Sequence, residues 1–225
     1  MSQMIYIYYG DMKMNEKIDL KEIEKKAWKS CFQDGLWDIF LGLILLSFGI
    51  SPFIEELTGI IYLISYITLL SIGYIIFYGG KKYITIPRIG KVKFGPKRKI
   101  KKIKVVIILA ISVIFGLAAI LLTQTDLIPY NIDISIWGII FSINALIVFS
   151  LLAYYLDFPR LYIYSIFFAT SIFIVETSRS HVGTTYDTLV GFGMFGVIVV
   201  LIGLLHLTRF VRRYPLHKEE ITDGN

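Results

Sequence analysis

Residues 81–104 read KKYITIPRIGKVKFGPKRKIKKIK and hold eleven of the 23 Lys and Arg residues in this chain of 225. Apolar blocks of about 15 to 23 residues lie on both sides of this stretch, and a helix of that length crosses the roughly 30 Å of hydrocarbon in a bilayer. So many charges cannot be placed in hydrocarbon. The basic loop, residues 79–104, must therefore stand in water at one membrane surface, and its side of the membrane sets the orientation of every other segment.

The composition is that of a polytopic membrane protein. Hydrophobic residues make up 56% of the chain and the mean hydropathy is +0.68, whereas soluble domains carry more charge and fewer long apolar runs. The net charge of +6 would suggest nucleic-acid binding in a soluble protein, but the cytoplasmic loops of membrane proteins are basic for reasons of topology. The single cysteine, Cys31, excludes an internal disulfide framework and a cysteine-based metal cluster.

The apolar blocks predict an all-α membrane protein, a bundle of six transmembrane helices within residues 36–208. No short apolar core with a cleavage site precedes the first block, so we expect this block to act as an uncleaved insertion signal. The predicted spans are Leu36–Phe53, Leu57–Tyr78, Ile103–Leu122, Ile134–Leu156, Leu161–Val175 and Thr188–Leu207.

The distribution of basic residues predicts the orientation of these helices. Among the 23 Lys and Arg residues, only Arg179 falls in the three loops on the side opposite the basic loop. Because cytoplasmic loops are enriched in Lys and Arg, we expect a multi-pass plasma-membrane protein with both termini in the cytoplasm. The chain then divides into a tail (residues 1–35), the six-helix domain and a second tail (residues 209–225).

Local patterns on the cytoplasmic side predict two further elements. Residues 18–32 carry apolar side chains on one helical face and lysines on the other, which predicts an amphipathic helix. This helix either lies in the headgroup layer with Trp28 as its anchor or packs against the ends of the bundle. Residues 83–86 and 91–94 are β-prone and flank Pro87–Gly90, which predicts a small cytoplasmic β-hairpin.

One segment of the basic loop resembles a known sequence. The stretch IPRIGKVKF, Ile86 to Phe94, is similar to one in a small uncharacterised family of prokaryotic polytopic membrane proteins. The resemblance covers this segment and the adjoining spans, and it implies no known activity.

The charges of the basic loop admit three roles. The first is topology together with contact to the anionic headgroups of the lipid bilayer, since each Lys or Arg near the surface contributes about 1 kcal/mol. The second is docking of a cytoplasmic protein partner. Nucleic acid is not expected, because few aromatic side chains suited to base stacking stand among the lysines. The residues expected to bind lipid or a partner are Lys81, Lys82, Arg88, Lys91, Lys93, Lys97, Arg98, Lys99, Lys101, Lys102 and Lys104.

The opposite, outer face carries a candidate polar site. Glu176 ends an apolar run and lies three residues before Arg179, so the two can pair if the fifth helix continues. An ionisable group at this depth is a candidate for function. Together with His181 these residues would form a cation-attracting vestibule. The alternative is a solvated loop whose acidic bias only avoids positive charge.

Two polar residues within the spans are candidate intramembrane groups. We expect Asn144, deep in the fourth span, to hydrogen-bond a neighbouring helix or to line a pathway, and Asp38 to pair with a cytoplasmic lysine. The run GFGMFG, residues 191–196, matches a dinucleotide-binding fingerprint, but that motif requires a preceding strand in a water-accessible fold. In an apolar span its glycines let neighbouring helices approach closely.

These features favour a small transporter or channel subunit for an ion or small solute, working as a homo-oligomer. The alternative is a non-transporting scaffold or accessory protein that docks a cytoplasmic partner or an anionic lipid through the basic loop. A third hypothesis is an intramembrane enzyme that acts on lipid through the outer site. The chain has no HExxH, GxSxG or Walker motif, so we predict no catalytic residue, no cofactor and no metal.

Overall fold

The computed structural model describes residue 28 and residues 30–55, 60–90, 96–123, 134–182 and 186–216. Every regular element in these ranges is helical. The long helices are α1 (Leu36–Glu55), α2 (Ile60–Gly80), α3 (Pro96–Thr123), α4 (Ile134–Leu156), α5 (Arg160–Val182) and α6 (Met194–Arg213). Six helices of the described part are long and apolar enough to cross a membrane. The prediction of an all-helical, multi-pass membrane protein with six spans is therefore confirmed.

Two of these helices carry extensions. A π-helical segment, Lys81–Thr85, and a one-turn helix, Ile86–Ile89, continue α2, and we call residues 81–89 the α2 extension. At the opposite end of the bundle, a one-turn helix, Tyr186–Thr188, and a second π-helical segment, Leu189–Gly193, lead into α6.

The helices do not pack in chain order. α1 contacts both α2 and α6, the segment leading into α6 contacts α5, α5 packs along α4, and α4 packs on α3. The order of contacts is therefore α2, α1, α6, α5, α4, α3, and this row curves, because residues of the α2 extension and of α3 line one cleft. Most apolar side chains of α2 and α3 are exposed, which is the surface expected of helices that face lipid.

A glycine seam joins α1 to α6. A Cβ atom on Gly42 would lie 2.7 Å from the backbone nitrogen of Val200, and one on Gly203 would lie 2.6 Å from that of Ile39. Only glycine lets two helix backbones come this close. On the α1 side the seam glycines recur every seven residues, so they stay on one face of the helix. The seam consists of Gly35, Gly42 and Gly49 on one side and Gly193, Gly196 and Gly203 on the other.

The run GFGMFG supplies part of this seam. It is helical, and a Cβ atom on Gly196 would lie 2.9 Å from the backbone nitrogen of Leu46 on α1. A Cβ atom on Gly191 would lie 2.8 Å from the carbonyl oxygen of Ser171 on α5. The glycines therefore allow close helix contact, as expected, in a context unlike that of a nucleotide-binding turn.

The predicted β-hairpin is wrong for the residues that the structure describes. Residues 83–86 lie in the helical α2 extension, while residues 91–95 lie outside the described ranges. Pro87 is tolerated because it starts the last helical turn, after a wide π turn in which the Ile86 N–H donates to the carbonyl of Lys81. Gly90, with φ of 75°, ends the helix. Tertiary hydrogen bonds to this extension outweigh its local β preference.

Two helix bounds differ most from the predicted ones. α3 begins at Pro96 rather than Ile103, so that the basic run before the span is part of the helix. α5 continues to Val182, past the predicted end at Val175, and so includes Glu176. In both cases charged residues carry the helix beyond the apolar run from which the bound was predicted.

The predicted amphipathic helix lies mostly outside the described residues. Residues 31–34 form a turn that leads into α1, so the helix does not run to Phe32. Trp28 is only 2% exposed and belongs to the core cluster between α1, α4 and α5. Of the two alternatives for this segment, the position of Trp28 agrees with packing against the bundle rather than with an anchor in the headgroup layer.

The glycine seam predicts that two glycine substitutions differ strongly in their effect on the stability of the protein. Gly42→Ile should destabilise the protein by about 1–3 kcal/mol or more, because the side chain must force α1 and α6 apart. Gly116→Ile is the matched control, since nothing lies within 4 Å of a Cβ atom at Gly116 on α3. Thermal unfolding in detergent micelles measures both, and equal melting temperatures for the two variants would contradict the seam.

Candidate functional site

The ends of all six helices nearest the basic loop meet at one end of the bundle. Lys81 of the α2 extension contacts Cys31 in the turn before α1, and Arg160 at the start of α5 contacts Phe32 in the same turn. We call this end the basic end. The basic residues whose side chains the structure describes there are Lys81, Lys82, Arg88, Arg98, Lys99, Lys101, Lys102, Lys104, Arg160, Arg209, Arg212 and Arg213.

Asp34 ties the α2 extension to the start of α1. Its carboxylate is fully buried, and Oδ2 accepts hydrogen bonds from Lys81 Nζ at 2.6 Å and from Thr85 Oγ1 at 2.6 Å. Oδ1 accepts one from the backbone N–H of Leu36 at 3.3 Å. The Lys81 ammonium also donates to the Cys31 carbonyl at 2.6 Å. These bonds hold residues 81–85 in the helical form that sequence reasoning did not anticipate.

Asp38, one helical turn further on, ties α1 to α5. It too is fully buried, and its Oδ2 lies 3.0 Å from Arg160 Nη2 in an ion pair. The expected partner was a lysine, and this expectation is wrong: Arg160 is the partner, and Lys81 of the α2 extension pairs with Asp34 instead. The buried hydroxyl of Tyr164 lies beside the same carboxylate, although the geometry gives neither group an aligned hydrogen bond.

Asp157 ties the turn between α4 and α5 to the start of α3. Its carboxylate accepts hydrogen bonds from Arg98 and, at 2.9 Å, from Lys101 Nζ. Partial burial acts to raise the pKa of Asp157, but the hydrogen bonds and charges of Lys101 and Arg98 outweigh it, so the pKa lies below its ordinary value. All three acidic residues of the described ranges at the basic end, Asp34, Asp38 and Asp157, are thus paired with basic ones.

Trp28 connects the end of α4 to the start of α3 at the basic end. Its indole N–H donates to the carbonyl of Leu156, in the last turn of α4, at 2.6 Å, which satisfies one of the carbonyls that a helix end leaves unpaired. The Arg98 guanidinium lies 5.0 Å and the Lys102 ammonium 5.4 Å from the indole centroid. Such cation–π contacts draw the start of α3 toward the segment before α1.

An apolar cleft of about 520 Å³ opens between the α2 extension and α3. Two lysines, Lys81 and Lys102, stand at its polar edge. The Cys31 thiol also lines it, and burial, the largest effect, raises the pKa of this thiol, so the group stays neutral and behaves as a small apolar side chain. The apolar wall is formed by Trp28, Phe32, Trp37, Phe77, Ile86, Ile89, Val105, Val106 and Leu156.

The predicted outer site lies at the other end of the bundle. Glu176 is half-buried, and its Cγ would lie 2.8 Å from a Cβ atom on Gly138 of α4. Arg179 and His181 follow on the same helix, as the helix continuation required, but their side chains lie outside the described part of the structure. Their joint action as a site stays a prediction.

Asn144 is an interhelical contact. Its Nδ2 donates to Ser112 Oγ on α3 at 3.1 Å. This face of α4 is different from the one that carries Gly138 against Glu176, so the described contacts do not join the two predicted polar positions. In the described ranges no group of three or more His, Cys, Asp and Glu residues is placed to hold a metal ion.

Sequence reasoning missed most of the polar layer at the basic end. Arg160 and Asp157 are adjacent to a turn of ordinary appearance, and the pattern around Trp28 favoured an interfacial anchor as much as a packed side chain. The sequence does contain a signal for these ion pairs. An acidic residue stands at the boundary of an apolar block at Asp34, Asp38 and Asp157, and an acid buried near so many basic residues is expected to form an ion pair.

Comparisons with known proteins add no assignment: no family model, curated protein or solved structure matches the chain. The resemblance of the segment Ile86–Phe94 therefore stays a prediction.

The buried pair Asp38–Arg160 predicts a non-additive mutant cycle. Arg160→Gln should cost about 3–5 kcal/mol, because it leaves a buried carboxylate without its cation. Adding Asp38→Asn should recover part of that loss. Arg212→Gln, an exposed change on α6, should have little effect. Unfolding in detergent with a chemical denaturant measures these variants and Asp38→Asn alone, and a loss in the double variant equal to the sum of the two single losses would refute the pair.

The lowered pKa of Asp157 predicts a loss of stability in acid. The ion pairs with Arg98 and Lys101 stabilise the fold fully at pH values above 3.8, the ordinary pKa of an Asp side chain. This stabilisation is lost as the pH falls through the lower pKa that Asp157 has in the folded protein. Wild type should therefore melt above Asp157→Asn at pH 7, and the difference should shrink below about pH 4. Melting temperatures of both proteins between pH 7 and 3 measure it, and a constant difference would contradict the assignment.

Proposed function

We propose that this protein is a membrane-embedded accessory protein that holds an anionic lipid in the cleft between the α2 extension and α3, with its basic end toward the cytoplasm. The observation that carries the proposal is the cleft itself, which joins an apolar wall to two lysines at the end of a membrane-spanning bundle. An acyl chain fits the apolar wall, and an anionic headgroup fits the lysines.

The position of the cleft supports access from the membrane. Ile86 and Val106 line it and are exposed, by 39% and 63%. A lipid can therefore reach the wall by lateral movement, without its chain leaving hydrocarbon.

The two lysines have different roles in this proposal. Lys81 is bound to Asp34 and to a backbone carbonyl, so its charge is largely compensated. Lys102 is exposed, and its ammonium lies over the face of Trp28. Lys102 is thus the cation available to a lipid phosphate.

The cytoplasmic orientation of the basic end rests on the distribution of basic residues along the chain. A scaffold role, in which the bound lipid or the exposed lysines dock a further cytoplasmic protein, extends the same proposal.

The transport hypothesis has weaker support. α1 and α6 meet backbone to backbone along the glycine seam, and Asn144 is bound to Ser112 between α3 and α4. The half-buried position of Glu176 is the feature that favours transport. Ion flux in proteoliposomes with wild type and Glu176→Gln tests it.

Lipid selectivity can be read directly from tryptophan fluorescence. Trp28 and Trp37 line the cleft, and Trp137, which lies at the opposite end, can be replaced by Phe. In phosphatidylcholine nanodiscs, brominated phosphatidylglycerol should quench these tryptophans more than brominated phosphatidylcholine does. Lys102→Gln should weaken this preference about fivefold, because one lysine near the membrane surface contributes about 1 kcal/mol to the binding of an anionic headgroup.

Matched variants separate the cleft from general surface charge. Lys99→Gln removes the same charge from the same helix but outside the cleft, and should leave the preference unchanged. Val106→Phe, which fills the cleft, should reduce quenching, whereas Ile107→Phe, outside it, should not. Equal quenching by both lipids, or equal losses at Lys99 and Lys102, would reject the proposal.

A further inference from the structure

A second pocket, of about 340 Å³, lies at the basic end on the other side of the turn before α1. The last turns of α6, the start of α5 and Gln33 of the turn form it. Its lining is largely polar and basic, in contrast to the apolar cleft. Because the two share no lining residue, a ligand of this pocket is independent of the lipid proposed for the cleft.

Three arginines point to what this pocket binds. Arg160, Arg209 and Arg213 all line it. Arg160 is occupied by Asp38 and by the carbonyl of Phe32. The ion pairs among the described residues include neither Arg209 nor Arg213.

The placement of these two arginines concentrates positive charge on one face of α6. Arg209 and Arg213 are four residues apart on one face of α6, where like charges repel each other. His206, three residues before Arg209, lies on the same face and lines the pocket as well. Its Nδ1 is 2.8 Å from the Ile202 carbonyl, which fixes the ring and leaves Nε2 for the pocket. An anion bound here would relieve the repulsion.

We infer that this pocket binds a phosphate group, held by Arg209 and Arg213. Planar guanidinium groups match the oxygens of a phosphate in pairs, which a single lysine cannot do. The Gln33 amide and the Tyr214 hydroxyl, which also line the pocket, supply uncharged donors for the remaining oxygens. Arg160 is held by its ion pair with Asp38, so it lines the pocket without binding the phosphate directly.

The phosphate can belong to a lipid headgroup or to a soluble molecule, and two arms of one experiment distinguish them. In the first, the full-length protein in neutral detergent is titrated with inorganic phosphate in a calorimeter at constant ionic strength. In the second, native mass spectrometry counts the phosphatidic acid molecules that the protein retains from phosphatidylcholine nanodiscs containing this lipid. Nanodiscs without phosphatidic acid serve as the blank. Saturable binding in the first arm indicates a soluble ligand, and binding in the second arm alone indicates a headgroup.

Three variants of equal charge change decide whether the pocket is responsible. Arg209→Gln and Arg213→Gln should each weaken binding about tenfold, the effect of losing hydrogen bonds to a charged group. Arg212→Gln lies on the same helix but does not line the pocket, and should change binding less than about twofold, as expected for an exposed charge outside the site. Lys102→Gln, in the other cleft, should leave phosphate binding in the calorimeter unchanged, and in the second arm it should not alter the loss caused by Arg209→Gln, so this inference can fail or succeed apart from the proposed function.

Two results would overturn the inference. One is the absence of saturable binding in both arms. The other is an equal loss for the three arginine variants, which would mean that diffuse positive charge attracts the anion. All three arginines are exposed, so their substitution should leave folding intact, and an unchanged melting temperature in the absence of phosphate verifies this.

Discussion

The burial of two carboxylates at the start of α1 is the constraint on which the basic end of this protein depends. Taking a charge out of water costs several kcal/mol unless a cation and hydrogen bonds compensate it. Asp34 obtains a cation and hydrogen bonds from the α2 extension, and Asp38 obtains a cation from Arg160, the first residue of α5. The pairing of these two acids therefore fixes the α2 extension and the start of α5 relative to the start of α1.

The two pockets result from that arrangement. The α2 extension, held by Asp34, forms one wall of the apolar cleft, and α3 forms the other. On the far side of the turn, Arg160 is held by Asp38 and lines the basic pocket. The glycine seam fixes α1 against α6 over the depth of the membrane, so the polar end is built on a rigid base. Packing therefore dominates the middle of the bundle, and charge chemistry is concentrated at one end.

The sequence was enough to predict the six spans, because long apolar runs have few alternatives to crossing a bilayer. It did not predict the α2 extension, where β-prone residues such as Tyr83 and Ile84 suggested strands. Their conformation is decided by Asp34, about fifty residues earlier in the chain, and a local pattern carries no information on such a partner. The same holds for Arg160 and Phe32, which are 128 residues apart. The seven-residue spacing of Gly35, Gly42 and Gly49 was visible from the start, but only the opposite helix shows that it is a contact surface.

The most direct test of this account is amide hydrogen exchange across residues 81–89 of the protein in detergent, with and without the substitution Asp34→Asn. If the buried carboxylate holds the α2 extension in place, exchange there should become faster in the variant while α3 keeps its protection. Asp157→Asn serves as the control and should leave residues 81–89 unchanged. Identical protection of residues 81–89 in wild type and Asp34→Asn would contradict the account.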